Sequence, residues 1–345
     1  MEIRTYHQEF ICPIGPGNPR NGEGAILPLR DGGLLLAWSH FSGGRHDDAT
    51  AEIRGRISQD GGYTWGEPFP IQENVGSCNV MSVSLLRLHS DSLLLGFLIK
   101  NHESLDCRYW VRCSTDEGRN WGDRVLATPE EGYFVVNNDR MIQTGDGRLL
   151  IPTAKSIDEP HHGHAGCFCS EDEGQTWTRR AEYMDLPGSP VGLQEPGVVE
   201  CADGSLWMYM RTDRGCIYSS RSMDKGVSWS APEPTELVAP TAPASAKRLP
   251  GSEDILIVYN DRRGSASADE FHWRTPLTSA VSHDHGRTWH HHQLVESDRT
   301  RSYCYASITF HGDATLLTYY VGQAGGWNLS DLKLRIVPTV AWTEA

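Results

Sequence analysis

The sequence has no long apolar run, no surplus of basic residues and no stretch with a clear helical pattern. No segment approaches the roughly 18 apolar residues of a membrane-spanning helix, so we expect no membrane partner. Lys and Arg number 31 against 45 Asp and Glu, which gives a formal charge of -14. Because phosphate binding needs a basic face, this balance argues against a nucleic-acid partner. It is compatible with an acidic small ligand, since a few local arginines dominate the potential of a pocket.

The cysteines and the first residues bear on cofactors and compartment. The nine cysteines are an odd number without metal-like spacing, so we expect reduced and mostly buried thiols. We expect neither a metal nor an organic cofactor. The segment 1–7 lacks the apolar core of a signal peptide, which indicates a cytoplasmic protein, or a secreted one if a leader was removed.

One motif, Ser-x-Asp-x-Gly-x-x-Trp, occurs five times, and we call each copy a box. The boxes span residues 58–65, 114–121, 170–177, 222–229 and 282–289. In such a turn the Asp accepts backbone N–H groups, the Gly adopts positive φ and the Trp packs as an anchor. We therefore interpret the boxes as structural, and their aspartates are not catalytic candidates.

Apolar strand-like runs accompany the boxes and number one more. They span residues 33–38, 91–97, 147–152, 204–210, 254–259 and 313–320. Five boxes and six runs predict an all-β fold, a six-bladed β-propeller of four-stranded antiparallel blades, with residues 1–345 as a single domain. We expect an N-terminal strand around residues 3–11 to close the last blade.

Four further segments outside the boxes carry polar and charged residues. They are residues 45–53 (RHDDATAEI), residues 194–201 (QEPGVVEC) with the following strand to Arg211, Arg274 eight residues before the last box, and residues 302–308 (SYCYASI). Together with the boxes, these segments resemble the sialidase (neuraminidase) superfamily of Asp-box, or BNR-repeat, propellers. The resemblance runs over nearly the whole chain.

The resemblance implies an exo-acting retaining glycoside hydrolase that releases a terminal sialic or related acidic sugar from a glycoconjugate. It assigns Asp48 as the acid/base, with Asp47 as its rival. It assigns Tyr305 as the nucleophile, with Tyr303 as the alternative, and Glu195 as the group that polarises it.

Two arginines, Arg211 and Arg274, are implied as carboxylate ligands. A sialoside carries a carboxylate on its anomeric carbon, and guanidinium groups bind carboxylates bidentately. That carboxylate would repel an anionic nucleophile. A neutral Tyr avoids the repulsion if a neighbouring Glu takes its proton.

The first arginine of the family pattern is displaced in this chain. The family places it in an Arg-Ile-Pro motif, and the aligned position here is Gly22, with Arg20 two residues earlier and Glu23 beside it. Either a bulge brings Arg20 into place or the arginine set is incomplete. We count Arg20 and Glu23 as substrate-binding residues, because a Glu suits a ligand that offers hydroxyls or an amine. Arg140 is a further arginine that could supplement the set.

Two alternatives to a sialidase remain open at this point. One is a non-catalytic carbohydrate-binding propeller. The other is a propeller polysaccharide lyase or glycosidase that acts on a different sugar. The order of Glu195, Arg211, Arg274 and Tyr305 favours the sialidase, whereas the displaced Arg20 favours a different sugar.

Overall fold

The computed structural model describes residues 2–157, 161–263 and 272–344. These ranges contain 25 strands, and the one helix within them is a short 3-10 helix at Thr339–Trp342. No helix in the part of the chain described is long and apolar enough to cross a membrane. The predicted all-β class is confirmed.

The sheet built from residues 20 to 72 shows how the sequence pattern produces the strands. Its order is β2-β3-β4-β5. The strands are β2 (Arg20–Pro28), β3 (Leu34–Phe41), β4 (Ala51–Ser58) and β5 (Phe69–Gln72). Strand β3 is an almost unbroken apolar run because it is buried on both faces. Strand β4, in contrast, alternates between buried and partly exposed residues.

The next part of the chain forms one nine-stranded sheet. Its strands are β6 (Asn79–Arg87), β7 (Leu93–Lys100), β8 (Cys107–Ser114), β9 (Val125–Leu126), β10 (Tyr133–Val135), β11 (Ile142–Gln143), β12 (Leu149–Ser156), β13 (Gly163–Ser170) and β14 (Thr178–Arg179). A single parallel pair, Tyr133 with Cys107, joins β10 to β8. The strands before and after this pair are otherwise antiparallel neighbours.

Three more four-stranded sheets complete the described chain. The first contains β15 (Gln194–Glu200), β16 (Leu206–Arg211), β17 (Cys216–Ser222) and β18 (Glu233–Val238). The second contains β19 (Ser245–Arg248), β20 (Ile255–Tyr259), β21 (Leu277–Ser282) and β22 (His290–Glu296). The third contains β23 (Arg301–His311), β24 (Ala314–Gln323), β25 (Asp331–Pro338) and the N-terminal β1 (His7–Cys12).

The last of these sheets confirms that an N-terminal strand completes it. β1 pairs antiparallel with β25, and His7 lies opposite Ile336. The sheets number five rather than six, because the Tyr133–Cys107 pair merges two groups of strands. The closed six-bladed arrangement stays a prediction.

The boxes form tight turns, as their sequence indicates. In the box at 170–177 the Ser170 hydroxyl donates to Asp172 at 2.8 Å and accepts from the Gly174 N–H at 2.8 Å. The Asp172 carboxylate also accepts the Thr176 N–H at 2.9 Å, and the Trp177 Nε1 donates to the Gly174 carbonyl. The same Ser, Asp and Gly contacts recur in the other four boxes.

The cysteines contribute to the apolar packing between sheets. All nine lie in the described residues, all are free thiols, and six are buried. The expectation of mostly buried cysteines is confirmed.

Candidate active site

A cavity of about 850 Å³ lies where the first strands of several sheets come together. Residues from β2, β6, β10, β15 and β23 line it. Six of the seven predicted site residues belong to the lining: Glu23, Asp48, Glu195, Arg211, Arg274 and Tyr305. None of the five boxes, which all lie within the described ranges, contributes to it.

Four of the lining residues lie at β-bulges, each in the first strand of a different sheet. We call these four positions the inner-strand bulges. They are Glu23, Ser82, Glu195 and Tyr305, at φ values of 52, 62, 45 and 57 degrees. Each falls where the pairing with the second strand shifts register. A bulge leaves one residue unpaired and re-aims its side chain. All four side chains thereby reach the cavity, at the cost of a left-handed backbone that non-glycine residues seldom adopt.

The contact that joins two predicted catalytic residues is short. The Tyr305 hydroxyl donates to one Glu195 carboxylate oxygen at 2.7 Å. The other oxygen accepts from Arg211 Nη1 at 2.8 Å. Burial would raise the pKa of Glu195, but the charge and hydrogen bond of Arg211 outweigh it and hold the pKa below its ordinary value. Glu195 is therefore an anion placed to accept the phenol proton.

Tyr305 donates this hydrogen bond, and its pKa is shifted in the direction opposite to that of Glu195. Burial and the negative charge of Glu195 raise the pKa of Tyr305 well above its ordinary value. The Arg274 guanidinium lies 5.5 Å from the centre of its ring, and Arg274 Nη1 contacts Cys304 Sγ at 3.3 Å. The site thus contains a neutral phenol, a bound carboxylate and two arginines.

Tyr303, the alternative to Tyr305, lies outside this cavity. It is 2% exposed and belongs to the apolar core between two sheets. In a regular strand Tyr303 and Tyr305 would point to the same face, because residues two apart do so. The bulge at Tyr305 breaks this alternation, so the two side chains point to different places.

The structure places Arg20 behind the cavity rather than in its lining. Its side chain is 1% exposed. The guanidinium donates to Glu23 at 2.8 Å, to Asp47 at 2.5 Å and to the Tyr320 hydroxyl at 2.8 Å. The predicted bulge exists, but the charge of Arg20 is taken up by two carboxylates of the protein. A direct contact of Arg20 with substrate has no support in this geometry.

Gly22 occupies the position where the family pattern has its first arginine, and its surroundings leave no room for a side chain. A Cβ atom on Gly22 would lie 2.1 Å from the ring of Tyr320. Any side chain at that position would therefore displace the ring that binds Arg20. The neighbouring Glu23 is buried, and burial raises its pKa more than Arg20 lowers it. It accepts a hydrogen bond from the Ser82 hydroxyl at 3.0 Å.

Asp47 and Asp48 both line the cavity, but they differ in their partners. Desolvation opposes ionisation of Asp47, yet the adjacent Arg20 holds the pKa of Asp47 below its ordinary value. No ion pair of Asp48 is found within the described ranges. Asp47 is therefore held as an anion by Arg20, whereas Asp48 faces the cavity without an ion pair in the part of the chain described.

Arg140 does not supplement the arginine set. It is 1% exposed and is not part of the cavity lining. Its guanidinium donates to Ser245 and to the carbonyl of Ala244, so it ties the loop between β10 and β11 to the start of β19. That interpretation of Arg140 was wrong.

Several lining residues were missed from the sequence. Lys100 ends the apolar strand β7, is 3% exposed, and donates to the Asp47 carbonyl at 3.2 Å. Its ammonium lies 5.5 Å from the Tyr133 ring centre. Trp327 lines the cavity and makes an edge contact with His46. A Lys that ends an otherwise apolar run was the one available signal, whereas Trp327 belongs to no motif.

Comparison with known proteins agrees with the sequence motifs. The family model described as a BNR repeat-like domain matches residues 32–318. An anhydrosialidase from Macrobdella decora is 36% identical over 141 residues, which cover 38% of this chain and 18% of that protein. A sialidase from Bacteroides fragilis is 25% identical over 249 residues, which cover 68% of this chain and 44% of that protein. The matches therefore span less than half the length of either relative.

A solved structure extends the likeness to the whole chain. The intramolecular trans-sialidase from Ruminococcus gnavus, in complex with oseltamivir carboxylate, superposes with a TM-score of 0.78 at 16% identity. The superposition covers 99% of both chains. At this identity the likeness shows a shared fold.

Proposed function

Because the chain belongs to the BNR repeat-like domain family, we propose that it is a retaining glycoside hydrolase of the sialidase type. The observation that carries the proposal is the hydrogen bond from Tyr305 to Glu195, in one cavity with Arg211 and Arg274. Its substrate would be a terminal sialic or related acidic sugar on a glycoconjugate.

The proposal includes the six-bladed propeller as the frame of this site. In it, the nine-stranded sheet is two neighbouring blades that share one parallel pair. Contacts between first strands support this arrangement: β2 contacts β6 and β23, and β19 contacts β15 and β23. A circle of inner strands would direct the inner-strand bulges toward a common centre.

The proposed reaction has two steps. Tyr305 attacks the anomeric carbon while Glu195 accepts its proton, and Asp48 gives a proton to the departing glycosidic oxygen. The bond from the anomeric carbon to the aglycon breaks as the bond to Tyr305 Oη forms. Asp48 then removes a proton from water, which attacks the same carbon. Tyr305 leaves and regains its proton from Glu195.

Two arginines rather than three would bind the sugar carboxylate. Arg211 and Arg274 line the cavity, whereas Arg20 is neutralised by Glu23 and Asp47. We expect a weaker grip on the carboxylate than a set of three would give. Glu23 and Ser82, side by side at the base of the cavity, would favour a substrate with a hydroxyl or amine at the facing position.

The proposal is tested with a fluorogenic α-sialoside beside a panel of uronic and neutral glycosides. Wild type should release the fluorophore from the acidic sugar, and Tyr305→Phe should lower kcat by about a thousandfold or more. Tyr303→Phe is the matched control, because this buried Tyr on the same strand is part of the core. If wild type cleaves none of the glycosides, the enzymatic proposal fails.

The acid assignment has its own test. Asp48→Asn should slow a substrate with a poor leaving group, such as sialyllactose, much more than an aryl sialoside whose leaving group needs little protonation. Asp47→Asn should slow both substrates to the same degree, since it disturbs Arg20 instead. The reverse pattern would move the acid role to Asp47.

Intramolecular transfer is a second candidate for the outcome of the reaction. The relative with 36% identity over 141 residues is named an anhydrosialidase. In that case a hydroxyl of the bound sugar, instead of water, would attack the anomeric carbon in the second step. Analysis of the released sugar by NMR separates a free sugar from an anhydro product.

A further inference from the structure

Two histidines and an aspartate form a compact cluster that the proposed reaction does not use. His162 Nε2 lies 2.7 Å from Asp185 Oδ1, and His164 Nε2 lies 3.6 Å from the same oxygen. The two imidazole rings are 4.9 Å apart. None of the three residues is part of the lining of the cavity.

The backbone holds the three side chains in this position. His162 and His164 flank Gly163 at the start of β13, and alternate residues of an extended chain point to the same face. The next residue, Ala165, pairs antiparallel with Met184 through two hydrogen bonds. This register sets Asp185 opposite His164, so the cluster does not depend on a chance loop contact.

The donor set is that of a transition-metal site. One ring nitrogen of each histidine and a carboxylate oxygen lie within 4.8 Å of one another. A tetrahedral Zn²⁺ with bonds of about 2.0–2.2 Å holds its ligand atoms about 3.3–3.5 Å apart. The separation of 3.6 Å between His164 Nε2 and Asp185 Oδ1 is close to that spacing. The 2.7 Å contact of His162 Nε2 with the same oxygen is a hydrogen bond, and it would have to lengthen by about 0.6–0.8 Å around the ion. Imidazole with carboxylate suits Zn²⁺, whereas Mg²⁺ and Ca²⁺ prefer oxygen ligands alone.

We propose that His162, His164 and Asp185 bind one Zn²⁺ ion. The side chains are 16%, 10% and 39% exposed, so an ion can enter from solvent and a water molecule can complete the coordination. The expectation from sequence was that the protein has no metal site. That expectation rests on the His-rich segment 158–164 as well as on the cysteines, because the segment has no obvious acidic partner in the sequence. The fold supplies one, Asp185.

The site would be structural rather than catalytic. Gly163, between the two histidines, pairs with Gly192, and the Gln194 side chain donates to the His161 carbonyl at 2.7 Å. Gln194 and His161 both line the cavity. A metal that joins β13 to Asp185 would therefore brace one wall of the cavity without contact with the reacting sugar.

Zinc binding is measured by calorimetry on the full chain after EDTA treatment and removal of the chelator. Wild type should bind one Zn²⁺ per chain, and its Tm should rise with zinc concentration. His164→Gln should weaken the affinity at least about tenfold. Co²⁺ in place of Zn²⁺ gives a visible absorption band that reports tetrahedral coordination independently of stability.

The matched control is His283→Gln, which removes a histidine whose Nδ1 lies 2.8 Å from Asp254 in another sheet. It should leave zinc affinity unchanged. Should His164→Gln unfold, as judged by circular dichroism, Asp185→Asn at the more exposed ligand replaces it. The proposal fails if wild type binds no zinc, or if His283→Gln lowers the affinity as much as the variants of the cluster do.

Discussion

The five boxes and the four inner-strand bulges are both repeated features, but they repeat in different ways. The boxes share the same letters and the same contacts, from Ser58 in the first to Ser282 in the last. The bulges share a left-handed backbone residue and a register shift, while their side chains are Glu, Ser, Glu and Tyr. Repetition of letters therefore indicates scaffold in this fold, and repetition of backbone geometry with varied side chains indicates the site.

The two regions also use carboxylates differently. In the boxes the Asp is bound by N–H and hydroxyl groups of its own turn, so each turn is self-sufficient. At the bulges, Glu23 and Glu195 are buried and are each paired with an arginine: Glu23 with Arg20 on the same strand, and Glu195 with Arg211 on the neighbouring strand. Changes at the boxes should therefore affect stability alone, and changes at the bulges should affect activity, or activity and stability together.

The largest expected effect is on activity at a bulge. Glu195→Gln should lower kcat by about 10²–10⁴-fold, because a neutral amide cannot accept the Tyr305 proton. Steady-state kinetics on the α-sialoside measures it. The control is Glu200→Gln on the same strand, since Glu200 accepts the Gly145 N–H at 2.7 Å and is not part of the cavity lining. Equal losses in both variants would show that the strand, rather than the Glu195 carboxylate, is responsible.

The second effect tests whether Arg20 belongs with the frame of the site. Arg20→Met should lower the free energy of unfolding by about 3–5 kcal/mol, because it leaves buried Glu23 without its charged partner. Denaturant titration measures the loss, and the double variant Arg20→Met with Glu23→Gln should recover part of it. Arg54→Met, at a half-exposed pair with Glu52, should cost less than about 1 kcal/mol. A fully stable Arg20→Met would contradict the structural role of the Arg20–Glu23 pair.

Sequence reasoning succeeded where contacts are local and failed where they are long-range. The boxes are self-contained turns, and they gave a frame in which to locate the candidate site residues. The structure places four of these candidates in one cavity: Glu195, Arg211, Arg274 and Tyr305. The position of the Arg20 side chain depends on a hydrogen bond to Tyr320, which is 300 residues away in the chain. No local sequence pattern indicates that contact.

The number of sheets was missed for a similar reason. The structure has five sheets, and a single parallel pair between Tyr133 and Cys107 joins the strands on either side of it into the nine-stranded one. Such a pair requires no particular residue type, so the sequence carries no sign of it.

The third effect is a loss of stability without a loss of activity, at a box. Ser170→Ala should lower the free energy of unfolding by about 1–3 kcal/mol, because the Gly174 N–H is left buried without its acceptor. The kcat on the α-sialoside should not change, since no box residue lines the cavity. Thr176→Val in the same box should cost less, because that hydroxyl is exposed. A fall in kcat in Ser170→Ala would contradict the separation of the two regions.

The smallest effect concerns how the free energy of unfolding depends on pH. The sign of this dependence should differ between a box and a bulge. Hydrogen bonds from the Asn120 backbone and side chain lower the pKa of Asp116 from 3.8 to about 2. A lowered pKa stabilises the fold above pH 3.8 and ceases to do so as the pH falls toward 2. Burial raises the pKa of Glu23 above 4.5, so its contribution is present below that pH and is lost as the pH rises. Denaturant titrations across this pH range should show a weaker acid dependence in Asp116→Asn and a weaker dependence above about pH 4.5 in Glu23→Gln. The same sign of change in both variants would mean that the boxes and the bulges do not differ in the way that their carboxylates are held.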